Sequence, residues 1–410
     1  MFIKSLYLKN FRNIEEAQLQ FSEKLNIFIG DNGHGKTNIL EALYLLLEKE
    51  SFRYTNNATL IRLQQSQTVL NSFIHNNNLD FHFKMSMTPS RKEFFVNDKK
   101  NFSSDEFQFR AILFSPESLN VIKESAEQRR DLVDQMLASS SNLNAKLIKE
   151  YKKALRTRNK ILKDSQNGVM DKDLAVDTLM SINPIFLDLA HKLTLARLKI
   201  LAATKSLVQD FLNQLNQNTA ELGRPVYGFN YIFSENEFFD FDETKISVKI
   251  MQILAKRAQE LMSAELSFGS SLIGPQKHDI VFLYNGNDSR FFCSQGQQRT
   301  IILAFKMAQI VYHHRVHGFY PVLLLDDVLS ELDQNKQEAL ISTLNEIKTQ
   351  TFLTTTDLNS IKKLNTGSNL ENWASQEKIF SVRDGIILEK EKSLAETSTQ
   401  DNLENFADGV

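Results

Sequence analysis

The eight residues Gly30-Asp31-Asn32-Gly33-His34-Gly35-Lys36-Thr37 restrict what this chain can become more than any other stretch. They fit G-x-x-x-x-G-K-[ST] at every defined position. The motif works only between a strand and a helix start, and both flanks are present. Lys24-Leu25-Asn26-Ile27-Phe28-Ile29 is a short, largely apolar run before it, and Asn38-Ile39-Leu40-Glu41-Ala42-Leu43-Tyr44-Leu45-Leu46-Leu47 after it is rich in helix formers. In such a loop, backbone N–H groups turn inward on a triphosphate while the helix start adds partial positive charge. Lys36 then reaches the β- and γ-phosphates, and the Thr37 hydroxyl is a ligand for Mg²⁺.

The other half of such a site is expected near the far end of the chain. Val322-Leu323-Leu324-Leu325 followed by Asp326-Asp327 reads as a buried parallel strand that delivers carboxylates at its C-terminal end. Asp326 is expected to hold Mg²⁺ through water. Asp327 is expected to orient or deprotonate the attacking water, which makes it and Lys36 the candidate catalytic pair. Upstream, Ser294-Gln295-Gly296-Gln297-Gln298-Arg299 opens a long helix. Its Ser294 hydroxyl, its Gly296 N–H and Gln297 are candidate γ-phosphate ligands. Ser330-Glu331-Leu332-Asp333 follows downstream.

With 410 residues, 42% hydrophobic and 24% charged, the chain can build two or three domains around a large core. One cysteine, Cys293, excludes an intrachain disulfide and fits a reducing compartment. The N-terminal residues alternate like a strand, and no apolar run approaches the roughly 18 residues of a membrane span, so a cytoplasmic protein without membrane contact is expected. Net charge is −2, so affinity for nucleic acid must come from a local patch.

Along the chain, strands are expected at 2–9 and 18–29, and an antiparallel sheet over 58–114, where polar and apolar residues alternate. Residues 118–223 change to helical periods, broken at Gly168 and at Asn183-Pro184. The chain then returns to strands at 226–233, 280–284, 320–325, 351–354 and 378–382, with helices over 245–265, 296–314 and 334–347. This divides it into 1–117 and 225–388, two parts of one head, an inserted helical domain over 118–224, and a disordered acidic tail over 389–410. The best helix of the insert, 144–163, places Leu143, Leu147, Tyr151, Leu155 and Leu162 near one face. Lys146, Lys149, Lys152, Lys153, Arg156, Arg158, Lys160 and Lys163 fill the others, opposed only by Glu150. Such a face is either solvated or made for phosphates. Lys149, Lys152, Lys153, Arg156 and Lys160 are the candidate DNA contacts.

The order phosphate loop, S-x-G-Q, acidic strand, S-E-L-D is that of ABC-type ATPase heads, in which the S-x-G-Q of one subunit closes over ATP on the phosphate loop of another. Further matches narrow the resemblance: Leu6-Tyr7-Leu8-Lys9-Asn10-Phe11-Arg12-Asn13, Ser51-Phe52-Arg53, Phe114-Ser115-Pro116-Glu117, Arg129-Arg130 with Asp134, Tyr151 with Leu155 and Arg158-Asn159, and Ile273-Gly274-Pro275. Together the chain resembles the RecF family of SMC-related bacterial repair ATPases as far as about residue 388. The resemblance implies an α/β, ABC-type P-loop ATPase head, with a mixed and parallel sheet plus an antiparallel sheet, and an inserted all-helical domain. It implies ATP and Mg²⁺ held by residues 30–37, with Arg12 also at the nucleotide. It further implies slow DNA-dependent ATP hydrolysis by an ATP-bridged homodimer on single-stranded or gapped DNA. RecO and RecR are the implied partners, with RecA loaded at single-strand gaps during replication, recombination and SOS repair.

Rival readings fit less well. An SMC-type mechanical ATPase needs long coiled-coil arms, which an insert of this length lacks. A nuclease-bearing relative needs a metal domain, and Asp240-Phe241-Asp242 reads as a turn and N-cap. A transporter subunit should carry a switch histidine where this chain has Thr354-Thr355-Thr356. Asp-Asp in place of Asp-Glu also suits a slow hydrolytic clock. His313 and His317, at i and i+4 with His314 between them, could bind Zn²⁺, but no nearby Glu or Cys completes a site. Cys293 reads as a small buried side chain.

Overall fold

The computed structural model describes residues 1–53, 55–100, 109–216, 224–233, 243–347, 349–357 and 377–390. Strict alternation builds the first sheet from β1 (Phe2–Phe11), β2 (Ile14–Gln20), β4 (Thr68–Asn76), β5 (Leu79–Met87), β6 (Lys92–Val96) and β7 (Lys99–Lys100). Its order is β2-β1-β4-β5-β6-β7, antiparallel throughout. Leu6, Leu8, Leu70, Ile74, Phe83 and Met85 all face inward, as period-two spacing requires.

The second sheet has, as its inner strands, the largely apolar strands of one covered on both faces. It contains β3 (Leu25–Ile29), β8 (Ala111–Phe114), β12 (Val322–Asp326), β13 (Thr351–Thr355), β14 (Glu377–Arg383) and β15 (Ile386–Lys390), in the order β15-β14-β3-β13-β12-β8. All pairs are parallel except the β14–β15 hairpin. Neighbouring residues of one strand feed opposite cores. Val322, Leu324 and Phe352 pack with the first sheet and with α1 (Lys36–Glu48), whereas Leu323, Leu325 and Leu353 pack with the helices. A small third sheet, β9 (Tyr227–Ile232), β10 (Asp279–Tyr284) and β11 (Asn287–Asp288), sits on the helical side.

The remaining helices are the short α2 (Asn57–Leu60) and α3 (Pro116–Leu119), then α4 (Ala126–Ser140), α5 (Asn142–Gln166), α6 (Lys172–Leu215), α7 (Glu243–Glu260), α8 (Met262–Phe268), α9 (Ser289–Phe292), α10 (Gln295–His317) and α11 (Gln334–Ile347). The break expected at Pro184 does not occur: α6 runs through it for 44 residues. Interior proline costs about 3 kcal/mol, and burial of Phe186, Ala190 and Leu193 just beyond it outweighs that. At 1.5 Å per residue, α5 and α6 are about 37 and 66 Å long, a packed hairpin rather than an extended arm. Leu198 and Leu201 of α6 share a core with Leu25 and Leu323 of the second sheet. The far end of the hairpin is closed by Met262 and Leu266 of α8 against Ile161, Leu162, Ala175 and Leu179.

Glu389 and Lys390, expected to open a disordered tail, belong to β15. Residues 391–410, Asp240 and Asp242 lie outside the described residues. Among the described residues, no helix is long and apolar enough to cross a membrane.

Candidate nucleotide-binding site

β3 delivers the phosphate loop between β13 and β14. The Gly30 N–H donates to the Thr355 carbonyl at 3.4 Å, and a Cβ at Gly30 would stand 2.1 Å from the Val382 carbonyl oxygen, so only glycine fits there. Gly35, at φ 109°, precedes α1 in a backbone conformation that side chains avoid. Lys36 curls into the loop, where its Nζ donates to the carbonyls of Gly30 (2.7 Å) and Asp31 (3.0 Å). Burial lowers its pKa, against the raising influence of Asp327, Asp326 and Asp31.

At the second residue of α1, the Thr37 hydroxyl donates to Asp326 Oδ1 at 2.8 Å. Thr354 donates to the same oxygen at 2.9 Å and accepts the Asp327 N–H at 2.9 Å. Burial pushes the Asp326 carboxyl up, and the two hydroxyls pull it back. Asp327, at φ 50°, starts a 3₁₀ turn, Val328–Glu331. A hydroxyl and a carboxylate in contact are the hard oxygen donors that Mg²⁺ takes alongside phosphate. The loop and this pair therefore fit Mg·ATP.

Behind the loop, Glu41 is fully buried and gathers charge around itself. Arg12 forks onto it at 2.9 and 2.7 Å, Ser51 donates at 2.6 Å, and Arg53 reaches it at 3.4 Å while also donating to Asn38 at 2.8 Å. Arg12, expected at the nucleotide, is thus committed to Glu41 and to the Thr59 carbonyl. A buried carboxylate without a partner would be far too costly. His34 likewise turns its ring away from the loop, toward Asp384. Sequence reasoning assigned no role to Thr354, Glu41, Ser51 or Arg53. The sequence marks Thr354-Thr355-Thr356 only as the stretch that lacks a switch histidine; the β12–β13 register is what sets Thr354 opposite Asp326.

Ser294 N-caps α10 in a capping box with Gln297. Ser294 and Gly296 are exposed, and none of residues 294–297 lines the cleft that holds the phosphate loop. Their mounting is rigid. Gln298 donates to the Ser289 carbonyl at 2.7 Å, and Arg299 ties α10 to the acidic turn through Glu331, at 2.5 Å to its carboxylate and 3.1 Å to its carbonyl.

From the phosphate loop, a cleft of 1890 Å³ runs past α4 to α5. Lys36 and Asp326 lie on its wall together with Lys149, Lys152, Lys153 and Arg156; Lys160 is exposed outside it. Two positions of α5 differ from expectation. Leu143 is 78% exposed, whereas Arg158 is fully buried, because it lies seven residues from Tyr151 and so shares its face. Arg158 forks onto the equally buried Glu265 at 2.8 and 2.7 Å and donates to Ser271 at 2.8 Å. Nearby, Arg197 pairs with Asp134 (2.7 and 2.8 Å) and donates to the Pro275 carbonyl (2.8 Å), Arg129 pairs with Asp279, and Tyr151 donates to Gln276. The scattered motifs 129–134, 151–159 and 273–275 therefore form one seam between helices and third sheet.

His313 Nδ1 and His317 Nε2 both lie against the Ser139 carbonyl, at 3.1 and 3.0 Å. Cys293 is half-buried, and burial pushes its thiol pKa up.

Comparison with known proteins agrees with this architecture. Residues 2–378 match the RecF/RecN/SMC N terminal domain. The DNA replication and repair protein RecF of Lactobacillus johnsonii is 33% identical, over 95% of this chain and 100% of its own length. That of Bacillus velezensis is 32% identical over 88% and 95%. A solved structure of the recombination mediator protein RecF with ATP, from the RecFOR pathway, superposes with a TM-score of 0.78 at 26% identity, covering 95% of this chain and 98% of that one. A phosphate-loop cradle on a head built from these two sheets, matched over nearly its full length, shows that the chain belongs to the RecF family.

Proposed function

We propose that this chain is an ATP-gated DNA-binding protein of replication and recombinational repair, in which Mg·ATP bridges two copies on DNA and slow hydrolysis releases them. Bound ATP supplies the anion on which both copies converge. Lys36 and the loop N–H groups take its phosphates, Thr37 and Asp326 hold Mg²⁺, and Asp327 orients or deprotonates the attacking water. Ser294, Gly296 and Gln297 of the second copy donate to the γ-phosphate. The observation that carries this reading is the separation of the two halves: the S-x-G-Q turn is exposed, outside the cleft that the phosphate loop lines. The Arg299–Glu331 bridge then links that turn to the backbone carrying Asp327. Action with RecO and RecR enters this reading from the RecFOR pathway of the solved relative; cytoplasmic location and help in loading RecA at single-strand gaps enter it from the family resemblance of the sequence.

Sedimentation with and without ATP tests it. Asp327→Asn keeps shape but loses the carboxylate, so ATP should trap it as a dimer, by mass action on the bound form. Ser294→Arg should stay monomeric under the same conditions. Equal mass for Asp327→Asn with and without ATP would sink the proposal.

A further inference from the structure

The phosphate loop is gripped from outside by two hairpin turns, one 21 and the other 350 residues from His34 in sequence. The β1–β2 turn supplies Asn13, whose Nδ2 donates to the His34 carbonyl at 3.1 Å and whose Oδ1 accepts from Asn38 at 2.8 Å. The β14–β15 turn supplies two backbone donors. The Gly385 N–H reaches the His34 carbonyl at 3.0 Å, and the Asp384 N–H reaches His34 Nδ1 at 3.0 Å. His34 is thus held at its ring and at its carbonyl, and its side chain is absent from the cleft wall.

Two details say what this grip does. The Asp384 carboxylate also lies 3.0 Å from Nδ1, but one ring nitrogen cannot accept from an N–H and donate to a carboxylate at once. With the Asp384 N–H aimed at it, Nδ1 is the acceptor and the ring is neutral, with its proton on Nε2. Second, a trans peptide points its C=O and the following N–H in opposite directions. Holding the His34 carbonyl outward therefore turns the Gly35 N–H inward, to where phosphate oxygens would bind.

Resting on the nucleotide-site reading above, we infer that His34 is a positioning residue. Its neutral ring is the acceptor through which the β14–β15 turn, some 350 residues away, sets the shape of the phosphate loop before ATP arrives. Without the clasp the loop must be ordered when ATP binds. Ordering one residue's backbone corresponds to about a five- to thirtyfold loss of affinity.

The test is calorimetric titration with Mg·ATP, together with amide hydrogen exchange of the nucleotide-free protein. His34→Ala should weaken binding by that factor and speed exchange within residues 33–36 and at Asp384, whose N–H loses its acceptor, with exchange elsewhere unchanged. His34→Asn, whose side-chain oxygen replaces Nδ1 as acceptor, should restore most of both. Asp384→Asn keeps the backbone donor and should behave as wild type. Wild-type affinity and exchange in His34→Ala would overturn the inference, and so would a loss in Asp384→Asn equal to that in His34→Ala, which would indicate an ion pair. Lys36→Ala separates the two readings: it should lose about ten- to a hundredfold in affinity while exchange at residues 33–35 and Asp384 stays as in wild type. Undiminished ATP binding by Lys36→Ala would remove the nucleotide site itself.

Discussion

Lys306 shows how one residue can work against the stability of its own fold. It lies on the cleft wall, almost fully buried, with Nζ donating to the Leu113 carbonyl at 2.6 Å and 5.5 Å from the centre of the Phe114 ring. Burial lowers its pKa from 10.5 to about 8. The unfolded chain therefore binds this proton more tightly than the folded one, and unfolding takes up a proton between about pH 8 and 10.5. Stability contributed here rises with pH through that window, and the penalty of roughly 3 kcal/mol is fully present below it. Lys306→Met should stabilise the protein by about 1–2 kcal/mol at pH 7, after the lost hydrogen bond is allowed for, and by far less near pH 10. Denaturant titrations of both proteins at the two pH values measure this. An equal gain at both would contradict it.

At the scale of elements, α5 has two chemically opposite faces. One carries exposed lysines into the cleft, and the other buries Arg158 with Glu265. Helical spacing from Tyr151 makes Arg158 an interior residue, but its residue type reads as surface. Glu265, which neutralises it, comes from α8, 107 positions away. Removing one partner strands a buried charge, so Arg158→Ala should cost about 3–5 kcal/mol. Arg158→Met combined with Glu265→Leu should cost clearly less than the two single changes added together. Urea denaturation of the four proteins checks this; strict additivity would mean the pair does not act as a unit. Pro184 teaches the same lesson from the opposite direction, since a local helix breaker is overruled by the contacts that follow it.

For the whole molecule, the shared cleft matters most. In the proposed dimer, two basic helices act at once, so weak phosphate contacts gain through effective concentration. If four cations in each copy meet duplex phosphates, about eight contacts form, and log K should fall against log salt with slope near −7. Reversing Lys152, Lys153, Arg156 and Lys160 to Glu should remove most DNA binding, measured by fluorescence anisotropy with ATP present, while leaving ATP affinity intact. Binding as tight as wild type at the same salt slope would mean that the helix is only a solvated face.

By itself, the sequence determined the phosphate loop between its strand and helix, the acidic strand, the S-x-G-Q helix start and the two sheet types. Each of these is a local pattern, a fixed spacing or a period of two or 3.6 residues, that a short stretch carries whole. Tertiary structure decided what depends on distant pairing. It set Thr354 beside Asp326 through strand register, gave Arg12 to Glu41, closed the Arg158–Glu265 and Arg197–Asp134 bridges, and brought the Asp384 turn against His34. The reason is physical. A buried charge or an outward carbonyl states that a partner is needed, and only the packing of the chain determines which residue supplies it.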